Sequence, residues 1–176
     1  ESRLKVLKKG QFLPDFKAKI FSDQADVLPK TSSDLVYRSE LVSYSSTLMT
    51  VVKKDCPTCM YTLPFIERLN KLYGESALVV LLAQEDEVGA REMAIENQLN
   101  VPILLDESPY SIGETLELDF VPSGFLFSRG GMIDQSFEAF DLESFEKINK
   151  KLSQLANKRL QPLFKANESI VPFRPG

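Results

Sequence analysis

The sequence predicts an α/β protein with a central mixed β-sheet flanked by helices, and three observations carry that prediction. Two short apolar runs, residues 47–52 and 77–82, are each followed by a segment whose apolar residues recur at helical spacing. A twin-glycine turn, Gly130-Gly131, joins two further candidate strands, 124–127 and 132–140. A last amphipathic segment carries Leu142, Phe145, Ile148, Leu152 and Leu155 at three- and four-residue steps.

Residues 10–21 and the stretch to about residue 46 form an N-terminal extension with short strands, rich in Ser and Asp. Thr-Leu-Met-Thr-Val-Val at 47–52 suits a strand buried on both faces, and Lys53-Lys54-Asp55 interrupts it. From Cys59 onward Leu63, Ile66, Leu69 or Leu72, and Tyr73 recur as on a helix, with Gly74 where that helix would stop. Pro57 is tolerated in the first helical turn, where its missing N–H would have no partner, whereas Pro64 lies deeper and is expected to kink the helix. A second buried strand at 77–82 leads to a helix from Asp86 to Leu99 with Val88, Ile95 and Leu99 on its apolar face. The βαβα order makes the strands parallel.

A third short strand covers 101–105, followed by a loop or short helix around 108–116. Residues 124–127 and 132–140 flank Ser128-Arg129-Gly130-Gly131, whose glycines supply the positive φ angles of a tight hairpin, so two antiparallel strands end the sheet. Asp141 caps the last helix. Beyond it Pro162, Pro172 and Pro175 forbid one continuous helix. The organisation is therefore a single domain over 1–157, including the N-terminal extension, with an extended C-terminal tail over 158–176. Leu163, Phe164, Ile170, Val171 and Phe173 of the tail are expected to pack back onto the domain rather than to meet a partner.

Composition narrows the function classes. A chain of 176 residues with 43% hydrophobic and 26% charged residues is that of one globular domain. The net charge of −4 and pI near 5.0 disfavour nucleic acid as a partner. Histidine is absent, which removes Ser-His-Asp and Cys-His nucleophile systems and His-ligated zinc, copper or haem. The longest apolar run, 77–83, has seven residues against the roughly 18 of a membrane span. The chain opens at Glu1 rather than Met, which is compatible with removal of an upstream leader or anchor and leaves the compartment open.

The two cysteines form one Cys56-Pro-Thr-Cys59. Zinc usually takes four Cys or His ligands, and this chain offers two thiols and no imidazole. An inert structural disulfide between them would close a very small loop and so constrain the unfolded chain little. A redox dithiol is favoured where a strand precedes the pair and a helix follows. Placement at a helix start favours a thiolate at Cys56, the attacking sulfur, with Cys59 one turn inside as the resolving one. Lys53, Lys54 and Asp55 receive no catalytic role.

With Cys-x-x-Cys between strand and helix, Val121-Pro122 about 60 residues later before a strand, and a terminal β-β-α, the sequence resembles the thioredoxin superfamily. Gly10-Gln-Phe-Leu-Pro-Asp-Phe16 resembles the opening of its redoxin branch, which holds the AhpC/TSA-related peroxiredoxins and the TlpA/ResA-type thiol-disulfide oxidoreductases. The resemblance spans about residues 10–155. It implies a thioredoxin-like fold, disulfide exchange with protein thiols and disulfides, and no cofactor beyond the Cys56–Cys59 disulfide itself, while Pro57-Thr58, with no histidine between the cysteines, points to the reductive direction. It further implies a cis Val121-Pro122 bond facing the cysteines, with the Val121 backbone open to an extended substrate, and Glu85, near the place of the branch's proton-transferring acid, as the candidate for that role. Asp55 stands where the family carries tryptophan, and neither cysteine has the Pro-x-x-x-Thr/Ser-x-x-Cys context of a peroxidase. A monomer and an extracytoplasmic, periplasmic location are expected. The alternatives are a non-catalytic thioredoxin-like binding module or a Cu(I)-handling protein, since two thiolates suit that soft ion.

Overall fold

A computed structural model describes residues 7–24, 28 and 35–176. Part of the Ser- and Asp-rich stretch of the N-terminal extension, 25–27 and 29–34, therefore lies outside the described residues. In chain order the elements are β1 (Lys17–Ile20), β2 (Leu35–Tyr37), α1 (Arg38–Leu41), β3 (Ser46–Val52), α2 (Pro57–Tyr73), β4 (Leu78–Ala83) and α3 (Glu87–Glu96). They continue with β5 (Ile103–Leu105), α4 (Ser111–Thr115), β6 (Ser123–Ser128), β7 (Ile133–Glu138), β8 (Phe140–Asp141), α5 (Leu142–Leu155) and β9 (Phe173–Arg174).

Among the described residues seven strands form one mixed sheet in the order β2-β1-β5-β4-β3-β6-β7. The runs read as buried strands, β3, β4 and β5, are its parallel centre. Every residue of β4 is buried, and its side chains alternate between two cores. Val79, Leu81 and Ala83 face the cluster that takes Leu63, Ile66 and Leu69 of α2 and Ile148 and Leu152 of α5. Leu78, Val80 and Leu82 face the cluster holding Leu41, Phe125, Phe127, Ile112 and Leu116. A strand buried on both sides can afford no polar alternation. The hairpin β6–β7 closes one edge, and Gly130 and Gly131 hold φ of +91° and +96° in its turn. The N-terminal strands are part of the same sheet, with β1 running antiparallel to β5.

Two expectations need correction. The helix after β4 is shorter, Glu87–Glu96, and its buried residues are Gly89, Ala90 and Met93. Val88 and Ile95, read as its apolar face, are 60% and 70% exposed. The buried face carries Gly89 and Ala90 with Met93, so a count of large apolar side chains selects the exposed face. The third strand begins only at Ile103, because Pro102 has no N–H to give a ladder and contributes its carbonyl to Leu81 instead. Helix α2 continues past Pro64 to Tyr73, with Pro64 on its exposed side. Among the described residues no helix is long and apolar enough to cross a membrane.

The tail beyond α5 is extended and folds back along α2. Leu163 is buried in the core, and Phe164 stacks edge-on against Phe65 at 4.9 Å. Phe164 and Ile170 are partly buried against the same core, whereas Val171 and Phe173 are exposed.

Candidate active site

The turn from β3 into α2 carries the cysteine pair. Strand β3 ends at Val52, and Lys53 and Lys54 turn the chain so that Cys56 becomes the N-cap of α2, with extended φ and ψ of −102° and 108°. Pro57 follows in the first turn, where no intrahelical partner awaits an N–H. The Cys56 sulfur accepts the Cys59 N–H at 3.1 Å, doing for this helix what a Ser or Asp side chain does at other N-termini. Both thiols are free.

Cys56 is partly exposed and Cys59 is 0% exposed. Burial pushes the Cys59 thiol well above the ordinary thiol range, and the neighbouring Cys56 sulfur pushes it the same way. The Lys53 backbone N–H and its positive charge pull in the opposite direction. Lys53 is held there by its ammonium, which lies 4.5 Å from the centre of the Tyr110 ring.

The Val121–Pro122 bond is cis. The Val121 carbonyl oxygen accepts from the Cys56 thiol at 3.6 Å, so the pair expected to face each other across the site do so. Pro122 is buried, and its carbonyl accepts the Ala139 N–H at 2.7 Å, which ties the loop before β6 to the end of β7. Glu85, just past β4, turns its carboxylate to the Lys54 N–H at 2.7 Å. That places it behind the cysteine turn, bracing the backbone two residues before Cys56. Lys54 in turn pairs with Glu92 of α3.

Several contacts at this site had no signature in the sequence. The Thr58 hydroxyl, inside the Cys-Pro-Thr-Cys motif, donates to the Pro175 carbonyl at 2.5 Å. Tyr61, one turn further along α2, meets the Arg174 guanidinium at 5.2 Å and accepts the Val171 N–H at 3.3 Å. Only the position of Thr58 between the cysteines hinted that its hydroxyl would matter. Among the described residues no group of three or more Cys, Asp or Glu side chains is arranged to hold a metal ion.

The sequence matches the Redoxin family over residues 8–152. No curated protein matches the chain. Among solved structures, the chain is similar to a candidate protein disulfide isomerase from Bacteroides thetaiotaomicron, with TM-score 0.72 and 16% identity over 86% of this chain and 92% of that one. It is also similar to a candidate thiol:disulfide interchange protein DsbE from Chlorobium tepidum, with TM-score 0.69 and 16% identity over 85% and 99%. A third similar structure is a secreted Mycobacterium tuberculosis disulfide oxidoreductase homologous to E. coli DsbE, with TM-score 0.59 and 14% identity over 79% and 95%. At these identities the likeness establishes the thioredoxin-like fold.

Proposed function

This chain belongs to the redoxin family, and from that premise we propose that it is a thiol-disulfide oxidoreductase that reduces disulfides of protein partners through Cys56 and Cys59. The observation that carries the reading is the setting of Cys56. Its sulfur lies at the head of a 17-residue helix, between the Cys59 N–H and the Val121 carbonyl, while Cys59 is sealed from solvent. A helix N-terminus favours negative charge on the sulfur that opens it.

The cycle follows from that asymmetry. The Cys56 thiolate attacks one sulfur of a partner disulfide, the partner S–S bond breaks, and the displaced partner sulfur leaves as a thiolate that takes a proton from water. Cys59 then loses its proton and attacks the Cys56 sulfur of the mixed disulfide, which releases the second partner thiol and leaves the Cys56–Cys59 disulfide. Two electrons pass from the dithiol to the partner. A second dithiol must return them, and no bound cofactor takes part. Because burial keeps Cys59 protonated, the second step needs a proton acceptor, and Glu85 beside the cysteine turn is the proposed one. The Val121 backbone is the proposed docking edge for the partner chain.

Reduction is favoured over oxidation because Pro57-Thr58 puts no histidine between the cysteines to hold a thiolate strongly. An extracytoplasmic place of work agrees with the secreted protein among the similar structures. Reduction of insulin disulfides in the presence of dithiothreitol tests the reading. Wild type should accelerate it and Cys56→Ser should not. Equal rates would overturn the exchange function and leave a binding module.

A further inference from the structure

The end of the described chain lies on the cysteine site. Leu163 and the clamp of the Arg68 guanidinium on the Glu168 carboxylate anchor the tail to the side of α2. Beyond that anchor the path runs toward the head of the helix. Val171 bonds to Tyr61, the Pro172 carbonyl accepts the Leu142 N–H at 3.0 Å, and Phe173–Arg174 pair antiparallel with Phe140–Asp141. The Pro175 carbonyl meets Thr58, and Gly176 packs on Val121. A β-carbon built on Gly176 would stand 1.8 Å from the Val121 carbonyl oxygen and 3.4 Å from Pro122 Cδ. The oxygen that Gly176 crowds is the one that accepts the Cys56 thiol.

We propose that residues 171–176 are a built-in pseudosubstrate strap. It occupies the edge formed by Phe140–Asp141 and Val121, and an extended segment of a disulfide-bearing partner must take that edge over to reach Cys56. The proposal rests on the reading of Cys56 and Val121 as the exchange site.

The strap is built to be displaced. Val171 and Phe173 are exposed, so little side-chain burial holds it, and its contacts are mainly hydrogen bonds of the main chain. That is the way an extended polypeptide adds to a sheet edge, and another chain can satisfy the same groups. Pro172 and Pro175 keep the segment extended at low entropic cost while withholding two N–H donors from the edge. Beside it lies a cavity of about 500 Å³ with Phe120, Phe137 and Ala139 on the domain side, Lys8 and Glu138 at its polar part, and Phe173 of the strap itself as a wall. When the strap leaves, the wall that Phe173 gives this cavity leaves with it, and a partner carrying an apolar side chain next to its disulfide covers Phe120, Phe137 and Ala139 in its place, a difference that favours exchange of one for the other.

Two variants within the strap itself, made in the whole 176-residue chain, test it. Gly176→Ala places a carbon against main chain that cannot rotate away, and Arg174→Pro takes the guanidinium off Tyr61 and puts a proline ring into the β8–β9 pairing. In both, a polymer-linked maleimide, too bulky to use the part of Cys56 that the strap leaves open, should label Cys56 about fivefold faster or more than in wild type, by the reciprocal of the fraction of time the strap is open. A synthetic peptide of residues 169–176, added in excess, should restore protection. Insulin reduction should quicken in parallel. Unchanged labelling in both variants with no protection by the peptide overturns the strap, even when wild type reduces insulin. Faster labelling with no insulin reduction by any of the three chains keeps the strap and overturns the exchange reading.

Discussion

Alkylation of the reduced protein should separate the two sulfurs by about two orders of magnitude. Cys56 caps α2 with part of its surface open, whereas Cys59 is enclosed by core residues. A reagent reaches Cys59 only when that packing opens. An opening of about 3 kcal/mol is modest beside a typical global stability of roughly 5–15 kcal/mol, and it alone slows labelling about 150-fold. The raised pKa of Cys59 multiplies the factor further, because only the thiolate reacts near neutral pH. The assay is a timed pulse of iodoacetamide at pH 7, followed by mass spectrometry of the peptides carrying each cysteine. Cysteine variants extend it to mechanism. Cys59→Ser should accumulate a mixed disulfide with a protein partner through Cys56, since the first attack survives and the resolving thiol is gone, and Cys56→Ser should trap little. Labelling of Cys59 within tenfold of Cys56, or trapping by Cys56→Ser alone, would refute the helix-start reasoning.

Three further outcomes are expected. Phe140 is fully buried and its ring meets those of Tyr61, Phe65 and Phe145 at 5.1, 5.5 and 5.4 Å. Phe140→Ala should therefore cost about 3–5 kcal/mol and lower Tm by roughly 6–20 °C in thermal unfolding. Arg68 holds the Glu168 carboxyl down at about 2, so the support it gives the tail is whole above the ordinary value of 4.5 and is lost as pH falls through about 2. An NMR titration should show that low midpoint in wild type and a clear rise toward 4.5 in Arg68→Met, short of that value because the Lys165 N–H still holds the carboxylate. Glu85→Gln keeps an acceptor for the Lys54 N–H but cannot take a proton, so it should leave Cys56 labelling unchanged and slow resolution of the mixed disulfide about a hundredfold. Resolution at the wild-type rate would make Glu85 a brace of the turn and nothing more.

Much of this architecture is legible in short windows of sequence. Strands buried on both faces must be continuously apolar, which is why β3 and β4 stand out as Thr-Leu-Met-Thr-Val-Val and Leu-Val-Val-Leu-Leu. The Cys-Pro-Thr-Cys turn and the Gly130-Gly131 hairpin are local as well. The failures come where local chemistry misleads or where distance decides. In α3 the helix approaches its neighbours through Gly89, Ala90 and Met93, so counting large side chains selects the wet face. The destination of the tail depends on contacts such as Thr58 with Pro175, 117 residues apart, and a proline-rich tail says only that it is extended. The attachment of β1 to the free edge of β5 is likewise a matter of long-range register.

The contact of Gly176 with Val121 has a consequence for which partners the dithiol would admit. A segment tethered at Glu168, only a few residues away, meets its own docking edge at an effective concentration on the order of millimolar. A free polypeptide at micromolar abundance competes against that local excess. Chance encounters with exposed disulfides are outcompeted, while a partner that fits both the edge and the neighbouring cavity gains enough to win. Selectivity would then come from a threshold of affinity set inside the molecule, with the sulfur chemistry itself left indiscriminate.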